Sequence, residues 1–488
     1  MNNAITISDL WLMYSVRNKC TLWGHQLPVG ASGIILNGPE LETALIDKPS
    51  ALEAIYDPLQ YETGVPFELL DRLRSENAVL WVDEHALPNW PAGKGFWLVL
   101  RHREVGQVLK NPGVFSSALG ATQLLDPPSG EDLRYVRKML LNMDPPRHTR
   151  LRRLLQNSFT SRAIKKLEAG IHDHARSIFD RALQQDDEGE CDFANSMAAD
   201  MPLLSLADIL GMPQEDRYLM FDWANRVIGF QDPDYKVSDS FDQSCASDIA
   251  REALKLRPQP DAQGNMPNPR AKSGMPDLYR YARLLAEHKR QSPGEDVMSI
   301  LLAQVDEEGS QLSIEEFENM FWLFSVAGNE TLRNGIPGGM LALLQHPQAM
   351  QQLRSDPGLL PLAVDEMLRW WTPVMIFRRT AAQDTQLGEA LIRAGDKVVV
   401  SFVSANRDEE VFDNPAQFDI KRSPNPHYSF GYGPHFCLGA QLARTQMQAI
   451  FGELLRRLDH IELAGEVRYL RSNFQRGVKY LPIRWRRK

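Results

Sequence analysis

The strongest chemical signal in the sequence is a ten-residue stretch, residues 430–439, with the sequence FGYGPHFCLG. Its glycines allow a sharp turn and a close approach of the backbone to a flat ligand. Cys437 stands directly before a predicted amphipathic helix, where free N–H groups and the helix dipole stabilise a thiolate. Such a thiolate donates electrons strongly to an iron ion and favours cleavage of a bound O–O bond. The alternative is a structural cysteine in a glycine-rich turn.

A second candidate lies in a long predicted helix, where residues 327–331 read AGNET. The small residues Ala327 and Gly328 let a helix pass close to a flat ligand and leave room for a small gas molecule. An acid followed by an alcohol, here Glu330 and Thr331, can relay protons to a reduced oxygen species. In isolation the same pair would be read as a solvated helical pair.

The elements that must position these residues are mainly helices. Helical periodicity predicts helices over 66–77, 105–110, 133–142, 148–158, 162–186, 195–211, 215–230, 277–292, 294–304, 314–345 and 438–458. Short strands are predicted over 78–84, 95–101, 387–392 and 397–403, with others near the C-terminus. Residues 256–277 are dense in Pro, Gly and Asn and predict a long loop.

Composition narrows the class of protein. The net charge of −9 over 488 residues gives no support to a polyanion-binding role. The four cysteines have no short repeated spacing, which argues against a disulfide framework or a zinc site and indicates a reducing cytoplasm. No apolar run approaches the roughly 20 residues of a membrane span, and the N-terminus lacks the features of a signal peptide. We therefore expect a soluble, cytoplasmic protein without a membrane anchor.

The stretch around Cys437 resembles the haem-binding signature of the cytochrome P-450 family, Phe-Gly-x-Gly-x-His-x-Cys-x-Gly. The resemblance implies that Cys437 is the iron ligand of haem b. It also implies that His435 reaches a haem propionate, and that Phe430, Gly431 and Gly439 belong to the cofactor-binding loop.

Other segments resemble the same family in the expected order. Residues 327–331 resemble its acid-alcohol motif, although many relatives continue with a second Thr where this chain has Leu332. The remaining matches imply propionate contacts and a structural ion pair with a third member in a downstream meander. The propionate residues are His148, Arg152 and Arg379, and the structural residues are Glu366, Arg369 and Arg422.

The resemblance covers about residues 50–488 and implies the cytochrome P-450 fold, mainly α with small β-sheets, a triangular helical body holding haem b between a distal and a proximal helix. We predict one catalytic domain over 49–488 and an N-terminal extension over 1–48.

The implied reaction inserts one atom of O2 into a C–H bond of a hydrophobic substrate. Electrons would come from NAD(P)H through a separate reductase and a ferredoxin, since no flavin or iron–sulfur domain is attached. Basic residues on the proximal face, Arg150, Arg153 and Arg444, are candidates for steering an acidic ferredoxin. An ordinary solvated surface is the alternative.

The segments 327–347, 365–381 and 404–415 resemble the bacterial subgroup that hydroxylates steroids, methyl-branched lipids and terpenoids. Steroid, diterpenoid and branched fatty acid substrates all remain open. The predicted pocket is apolar; its residues are Phe324, Ala327, Val374, Met375, Ile376, Phe474 and Val478. The loop 256–277, longer than in the lipid-oxidising relatives, lies where the family forms its substrate entrance.

Three other functions compete: a peroxide-using enzyme, a non-oxygenating haem-thiolate enzyme such as an isomerase or dehydratase, and a haem-binding sensor. The first two are expected to lack or alter the acid-alcohol pair, and Glu330 with Thr331 therefore argues against both. A sensor would need no proton relay.

Overall fold

A computed structural model of the protein describes residues 52–488 except 89, 185, 237–244, 265 and 307–308. The predicted extension 1–48 therefore lies outside the described residues. The α-helices are α1 (Phe67–Glu76), α2 (His102–Lys110), α3 (Gly130–Val136), α4 (Arg147–Gln156), α5 (Ser161–Leu183), α6 (Asp200–Leu210), α7 (Arg217–Ile228), α8 (Pro233–Lys236), α9 (Asp248–Leu254), α10 (Pro276–Gln291), α11 (Val297–Ala303), α12 (Ile314–Gln345), α13 (Pro347–Ser355), α14 (Leu360–Trp371), α15 (Phe402–Ala405) and α16 (Ala440–Arg457).

The strands form small sheets beside the helices. They are β1 (Val79–Val82), β2 (Phe96–Val99), β3 (Phe115–Ser116), β4 (Glu188–Asp192), β5 (Ile376–Ala381), β6 (Thr385–Leu387), β7 (Ala390–Ile392), β8 (Lys397–Ser401), β9 (Leu458–Leu463), β10 (Arg468–Tyr469), β11 (Val478–Tyr480) and β12 (Pro482–Arg487). One sheet has the order β1-β2-β8-β5-β3, a second has the order β4-β12-β9, and β6-β7 and β10-β11 are two-stranded. Only the β2–β8 pairing within the large sheet is parallel.

Helix α12 is the centre of the helical body. It begins with a capping box in which the Ser313 side chain accepts from the Glu316 N–H and the Glu316 carboxylate accepts in return. Most of its residues are buried, including the polar residues Glu330, Arg333 and Asn334. Its second half packs closely, because a Cβ added at Gly338 would lie 2.1 Å from the Trp371 ring of α14. Within the described residues no helix is long and apolar enough to cross a membrane.

Two predicted strands differ from the structure for local reasons. The apolar run 397–403 stops being a strand at Ser401, whose hydroxyl accepts from the Ser404 N–H and caps the short helix α15. The predicted strand 387–392 is a tight hairpin, because Gly388 takes a left-handed conformation with φ 58° between β6 and β7. The predicted loop 256–277 is irregular up to the short 3-10 helix Lys272–Gly274 and ends at α10.

Candidate active site

The loop before α16 holds Cys437 through its own backbone. The Cys437 N–H donates to the Phe430 carbonyl at 2.9 Å, which closes the loop. Gly431 and Gly433 have φ values of 69° and 70°, in the left-handed region that glycine tolerates. At Gly433 a side chain is also excluded by space, because an added Cβ would lie 2.5 Å from the Leu109 carbonyl oxygen. The glycines predicted from the sequence thus have a geometric reason at this turn.

The surroundings of Cys437 act on its thiol in two opposite directions. The residue has accessible surface, yet protein atoms crowd around the sulfur, and this burial is the largest influence on the thiol and raises its pKa. A hydrogen bond from the Gly439 N–H and the charges of Arg152 and Arg444 act in the opposite direction, lowering the pKa. These groups favour the thiolate over the thiol.

Helix α12 also borders open space at its middle. Ala327 and Gly328 are exposed, whereas Val326 and Asn329 on either side are buried. Thr331, one helical turn after Ala327, donates its hydroxyl proton to the Ala327 carbonyl at 2.8 Å. The helix therefore offers a small-residue face with an alcohol beside it.

The acid of the predicted relay is occupied by neighbours on its own helix. The Glu330 carboxylate accepts from the Arg333 Nη2 at 2.7 Å and from the Asn334 Nδ2 at 3.0 Å, and it is buried. The Arg333 guanidinium in turn lies over the rings of Phe221 and Tyr235, at 4.3 Å and 5.1 Å from their centres. The sequence analysis gave Arg333 and Asn334 no part in the site; their spacings of three and four from Glu330 on one helix were the available signal for this pairing.

The predicted propionate residues form one cluster, which we call the cationic cluster for its two arginines; its members are His148, His435, Arg152 and Arg379. The His148 and His435 rings lie 4.1 Å apart between their centres. Burial first, and then Arg152, lowers the pKa of His148 to about 4, while burial and then Arg379 holds the pKa of His435 far below its usual range. Ser117, which the sequence analysis missed, has its hydroxyl 3.3 Å from His435 Nε2. No simple sequence pattern marks that serine.

The carboxylate whose charge acts on this cluster, that of Asp144, accepts hydrogen bonds from Ser116 and Ser117. Neither ring nitrogen of the buried His148 has a hydrogen-bond partner, and the Arg379 guanidinium donates to the Arg378 carbonyl at 2.9 Å. Burial lowers the pKa of Arg379 to about 10, with only Asp144 opposing it. Buried cations and donors without partners fit the carboxylates of a bound group. The residues therefore fit haem, whose two propionates would enter here and whose iron would face Cys437.

Strand alternation separates the two adjacent arginines of β5. Arg378 donates to the Asp126 carboxylate at 2.5 Å, and that carboxylate also accepts from Lys397 at 2.8 Å. Successive residues of a strand point to opposite faces. Arg379 is therefore the member of the pair that lies in the cationic cluster, where its charge acts on His435.

Glu366, Arg369 and Arg422 meet in the protein interior. Two parallel hydrogen bonds of 2.7 Å join Arg369 to Glu366, and Arg422 Nε donates to the same carboxylate at 3.1 Å. The Arg369 and Glu366 side chains are 0% exposed. Arg369 also donates to the carbonyls of Asn406 and Pro415, so that the ion pair fastens the meander to α14.

The predicted pocket residues divide into two groups. Ala327, Val374 and Phe474 have accessible surface, whereas the other four belong to the hydrophobic core: Phe324, Met375, Ile376 and Val478. The buried Phe324 ring stacks on Phe159 at 5.5 Å. Leu323, four residues before Ala327 and so on its face of the helix, is more accessible and was missed.

The long loop between α9 and α10 is attached to the segment that precedes α3. Arg270 is 6% exposed and donates to the Leu125 carbonyl at 2.6 Å and the Asp126 carbonyl at 3.3 Å. Asp126 pairs with Arg378, the neighbour of Arg379. The loop is thereby connected to the strand that carries part of the cationic cluster.

Two of the three basic residues proposed for ferredoxin steering already have acidic partners. Arg150 binds Asp306 and Glu316 at 2.7 Å each. Arg444 binds Asp365 at 2.7 Å. Their charges are therefore largely compensated within the protein.

Comparisons with known proteins agree with this geometry. The family model described as Cytochrome P450 matches residues 90–357 and 358–474. A steroid C26-monooxygenase of Rhodococcus jostii is 33% identical over 449 residues, which are 91% of this chain and 87% of that protein. A methyl-branched lipid omega-hydroxylase of Mycobacterium tuberculosis is 35% identical over 417 residues, 85% of this chain and 89% of that protein.

The solved structures give the same result. A Mycobacterium marinum cytochrome P-450 in complex with pseudoionone has a TM-score of 0.72 and 35% identity, and the match covers 85% of this chain and 94% of that one. A second relative, from Novosphingobium aromaticivorans, has a TM-score of 0.73 and 32% identity, covering 90% of this chain and 99% of that one.

Proposed function

Because the chain belongs to the cytochrome P-450 family, we propose that it is a haem-thiolate monooxygenase that hydroxylates a steroid, terpenoid or methyl-branched lipid. The observation that carries the proposal is the pairing of the Cys437 loop with a buried cationic cluster that has unpartnered donors. The family binds haem b, and haem b, when bound, supplies an iron that activates O2 with electrons from a donor.

We assign the residues that bind the cofactor as follows. Cys437 is the iron ligand; the Gly439 N–H and the charges of Arg152 and Arg444 lower the pKa of its thiol, against the effect of burial, which raises it. His148, Arg152, Arg379 and His435 bind the propionates. Phe430, Gly431 and Gly439 shape the loop so that its backbone clears the flat macrocycle.

We assign Thr331 and Glu330 different roles in proton transfer. The Thr331 hydroxyl lies beside the small residues Ala327 and Gly328, where dioxygen needs space, and its proton is held by the Ala327 carbonyl until it turns. Glu330 is buried and ion-paired, so it transfers a proton only after the carboxylate leaves Arg333. We therefore assign direct proton donation to Thr331 and a gating role to the Glu330–Arg333 pair.

The substrate class rests on the relatives and on the apolar residues near the site. One relative is named a steroid C26-monooxygenase, another a methyl-branched lipid omega-hydroxylase, and a solved relative binds pseudoionone, a branched acyclic ketone. Ala327, Val374 and Phe474 offer apolar accessible surface. We propose that the reaction takes place on a branched terminal carbon of such a molecule.

The reaction needs an external electron donor, and we propose a ferredoxin with an NAD(P)H-dependent reductase. Arg153 is exposed on α4, and we propose that its charge contributes to contact with that donor. We also propose a cytoplasmic location and a single domain over 49–488, which contains the family match of 90–474.

Product analysis tests the function. The haem-loaded protein is incubated with a ferredoxin, its reductase, NADPH and a panel of sterols, methyl-branched fatty acids and terpenoids under isotopically labelled dioxygen. We expect a hydroxylated product that carries one labelled oxygen atom. Hydroxylation with peroxide but not with O2 and the redox proteins would overturn the monooxygenase assignment.

A further inference from the structure

A cleft of about 190 Å³ lies between the residues before α1 and the turn before β11. Its lining is mostly apolar or aromatic, with a single charged side chain, that of Arg476. The lining residues are Tyr61, Gly64, Val65, Phe67, Tyr469, Leu470, Gln475, Arg476 and Gly477. A water molecule occupies roughly 30 Å³ of liquid, so that the cleft has space for about six waters or one short organic molecule.

The Arg476 guanidinium is held by hydrogen bonds through its Nη1, whereas its Nε and Nη2 can donate to a ligand. Its Nη1 donates to the Trp370 and Trp371 carbonyls at 2.9 Å each, at the end of α14. The plane stacks over the Trp371 ring at 3.9 Å and faces the Phe67 ring at 5.0 Å. Among the described residues, no side-chain or backbone acceptor is bonded to its Nε and Nη2, and neither atom is wholly enclosed by protein.

Charge compensation distinguishes this arginine from its neighbours. Arg407 pairs with Asp71 at 3.3 Å and Arg471 pairs with Glu62 at 2.8 Å. Arg476 has no ion pair with any carboxylate of the described residues. Burial lowers the pKa of Arg476 to about 9, with Tyr469 opposing this shift and the charge of Arg407 adding to it. A partly buried cation without a carboxylate partner is stabilised by an anion that binds beside it.

We propose that this cleft is a binding site for an organic monocarboxylate. The carboxylate accepts from the Nε and Nη2 of Arg476, the edge geometry that suits bidentate recognition. The hydrocarbon part of the ligand lies against Val65, Phe67 and Tyr61. One cation in an otherwise apolar lining matches a monoanion with an apolar body better than a phosphate, which requires more positive charge.

The same turn touches the helix that carries the proposed proton relay. Gln475 Oε1 lies 3.5 Å from Asn334 Nδ2, the group that also donates to Glu330. Gly477 is required there, because an added Cβ would lie 2.6 Å from Asn334 Oδ1. The carboxylate has two possible sources, a separate small acid or the acidic end of the enzyme's own substrate; the second source rests on the proposed function.

Calorimetric titration of the haem-loaded protein with hexanoate, hexanamide and inorganic phosphate tests the site. We expect one hexanoate per chain, with hexanamide roughly tenfold weaker or more, the effect of losing hydrogen bonds to a charged group. Arg476→Gln should lower hexanoate affinity by a similar factor. The control is Arg471→Gln. Because Arg471 already pairs with Glu62, this variant should bind hexanoate within about twofold of the unmodified protein.

A second variant keeps the test valid if Arg476→Gln fails to fold. Val65→Trp fills the cleft and leaves Arg476 and its bonds to α14 in place, and it should abolish hexanoate binding.

Competition distinguishes the two sources of the carboxylate. If a carboxylated steroid competes with hexanoate and a neutral steroid does not, the carboxylate belongs to the substrate. If neither competes, it belongs to a separate acid; both results support the site. Equal binding of hexanoate and hexanamide, unchanged hexanoate binding by both variants, or tighter binding of phosphate would overturn it.

Discussion

The Glu330 carboxylate lies 2.5 Å from the guanidinium of Arg333, one turn further along the same helix, and both side chains are buried at 1% and 6% exposure. Neither charge is solvated by water at this burial, so each stabilises the other. The carboxylate of the acid-alcohol pair is therefore bound by residues of its own helix and does not extend toward Ala327. Any movement of this carboxylate must first break the pair.

Arg333→Met should destabilise the haem-loaded protein strongly, because it leaves a buried carboxylate without its cation. Removing one partner of a buried pair typically costs about 3–5 kcal/mol. Denaturant unfolding measures the change. Arg393→Met is the matched control: Arg393 pairs with Asp384 on the surface, with both side chains more than half exposed, and its loss should leave stability nearly unchanged. Equal effects of the two variants would contradict the proposed importance of the buried pair.

Thr331→Ala should uncouple electron use from product formation. Without the hydroxyl that hydrogen-bonds to Ala327, protons reach the reduced oxygen species without control. We expect product per NAD(P)H to fall roughly tenfold or more, in the range of a lost acid-base group, with a matching rise of hydrogen peroxide. Thr445→Ala, which removes a similar hydroxyl bonded within α16, should keep normal coupling. Unchanged coupling in Thr331→Ala would remove this residue from the proton path.

The adjacent arginines of β5 should differ in their effect on haem retention. Arg379→Gln removes a cation of the propionate cluster and should speed haem transfer to apomyoglobin roughly tenfold, as expected for a lost charge-assisted hydrogen bond. Arg378→Gln removes the partner of Asp126 and should leave the transfer rate close to that of the unmodified protein. If Arg378→Gln loses haem faster than Arg379→Gln, the assignment of these two residues is reversed.

Arg270→Ala should loosen the long loop between α9 and α10. The buried guanidinium joins that loop to the carbonyls of Leu125 and Asp126. An alanine at this position cannot make either hydrogen bond. Limited proteolysis should then cut within 256–275 several times faster, as expected when local opening becomes easier. Gln259→Ala, an exposed position of the same loop, should be cut at the original rate. If both variants are cut alike, Arg270 does not hold the loop.

Much of the site was predictable because its residues lie at short, fixed spacings. The loop 430–439 and the helix 314–345 were predicted from glycine positions, apolar periodicity and motif resemblance, and α12 has the bounds that were predicted. Arg379 was chosen by its resemblance to the family motif, which did not separate it from the adjacent Arg378; strand alternation makes that separation.

What the sequence did not provide depends on contacts between distant segments. Strand β4 has the polar sequence EGECD and exists through pairing with β12, nearly three hundred residues later. Arg270, Ser117 and the free edge of Arg476 gain their meaning from neighbours that no local pattern identifies. Burial of Met375 and Val478 likewise follows from tertiary packing, and their apolar character alone did not distinguish core from pocket.

The absorption spectrum of the reduced protein under carbon monoxide tests the central claim, that Cys437 binds haem iron as a thiolate. We predict a Soret band at the long-wavelength position typical of thiolate-ligated haem, and loss of that band in Cys437→Ser. The Cys191→Ser variant, which alters a partly buried cysteine of β4, should keep it. A band typical of histidine ligation, or a band that persists in Cys437→Ser, would contradict the account.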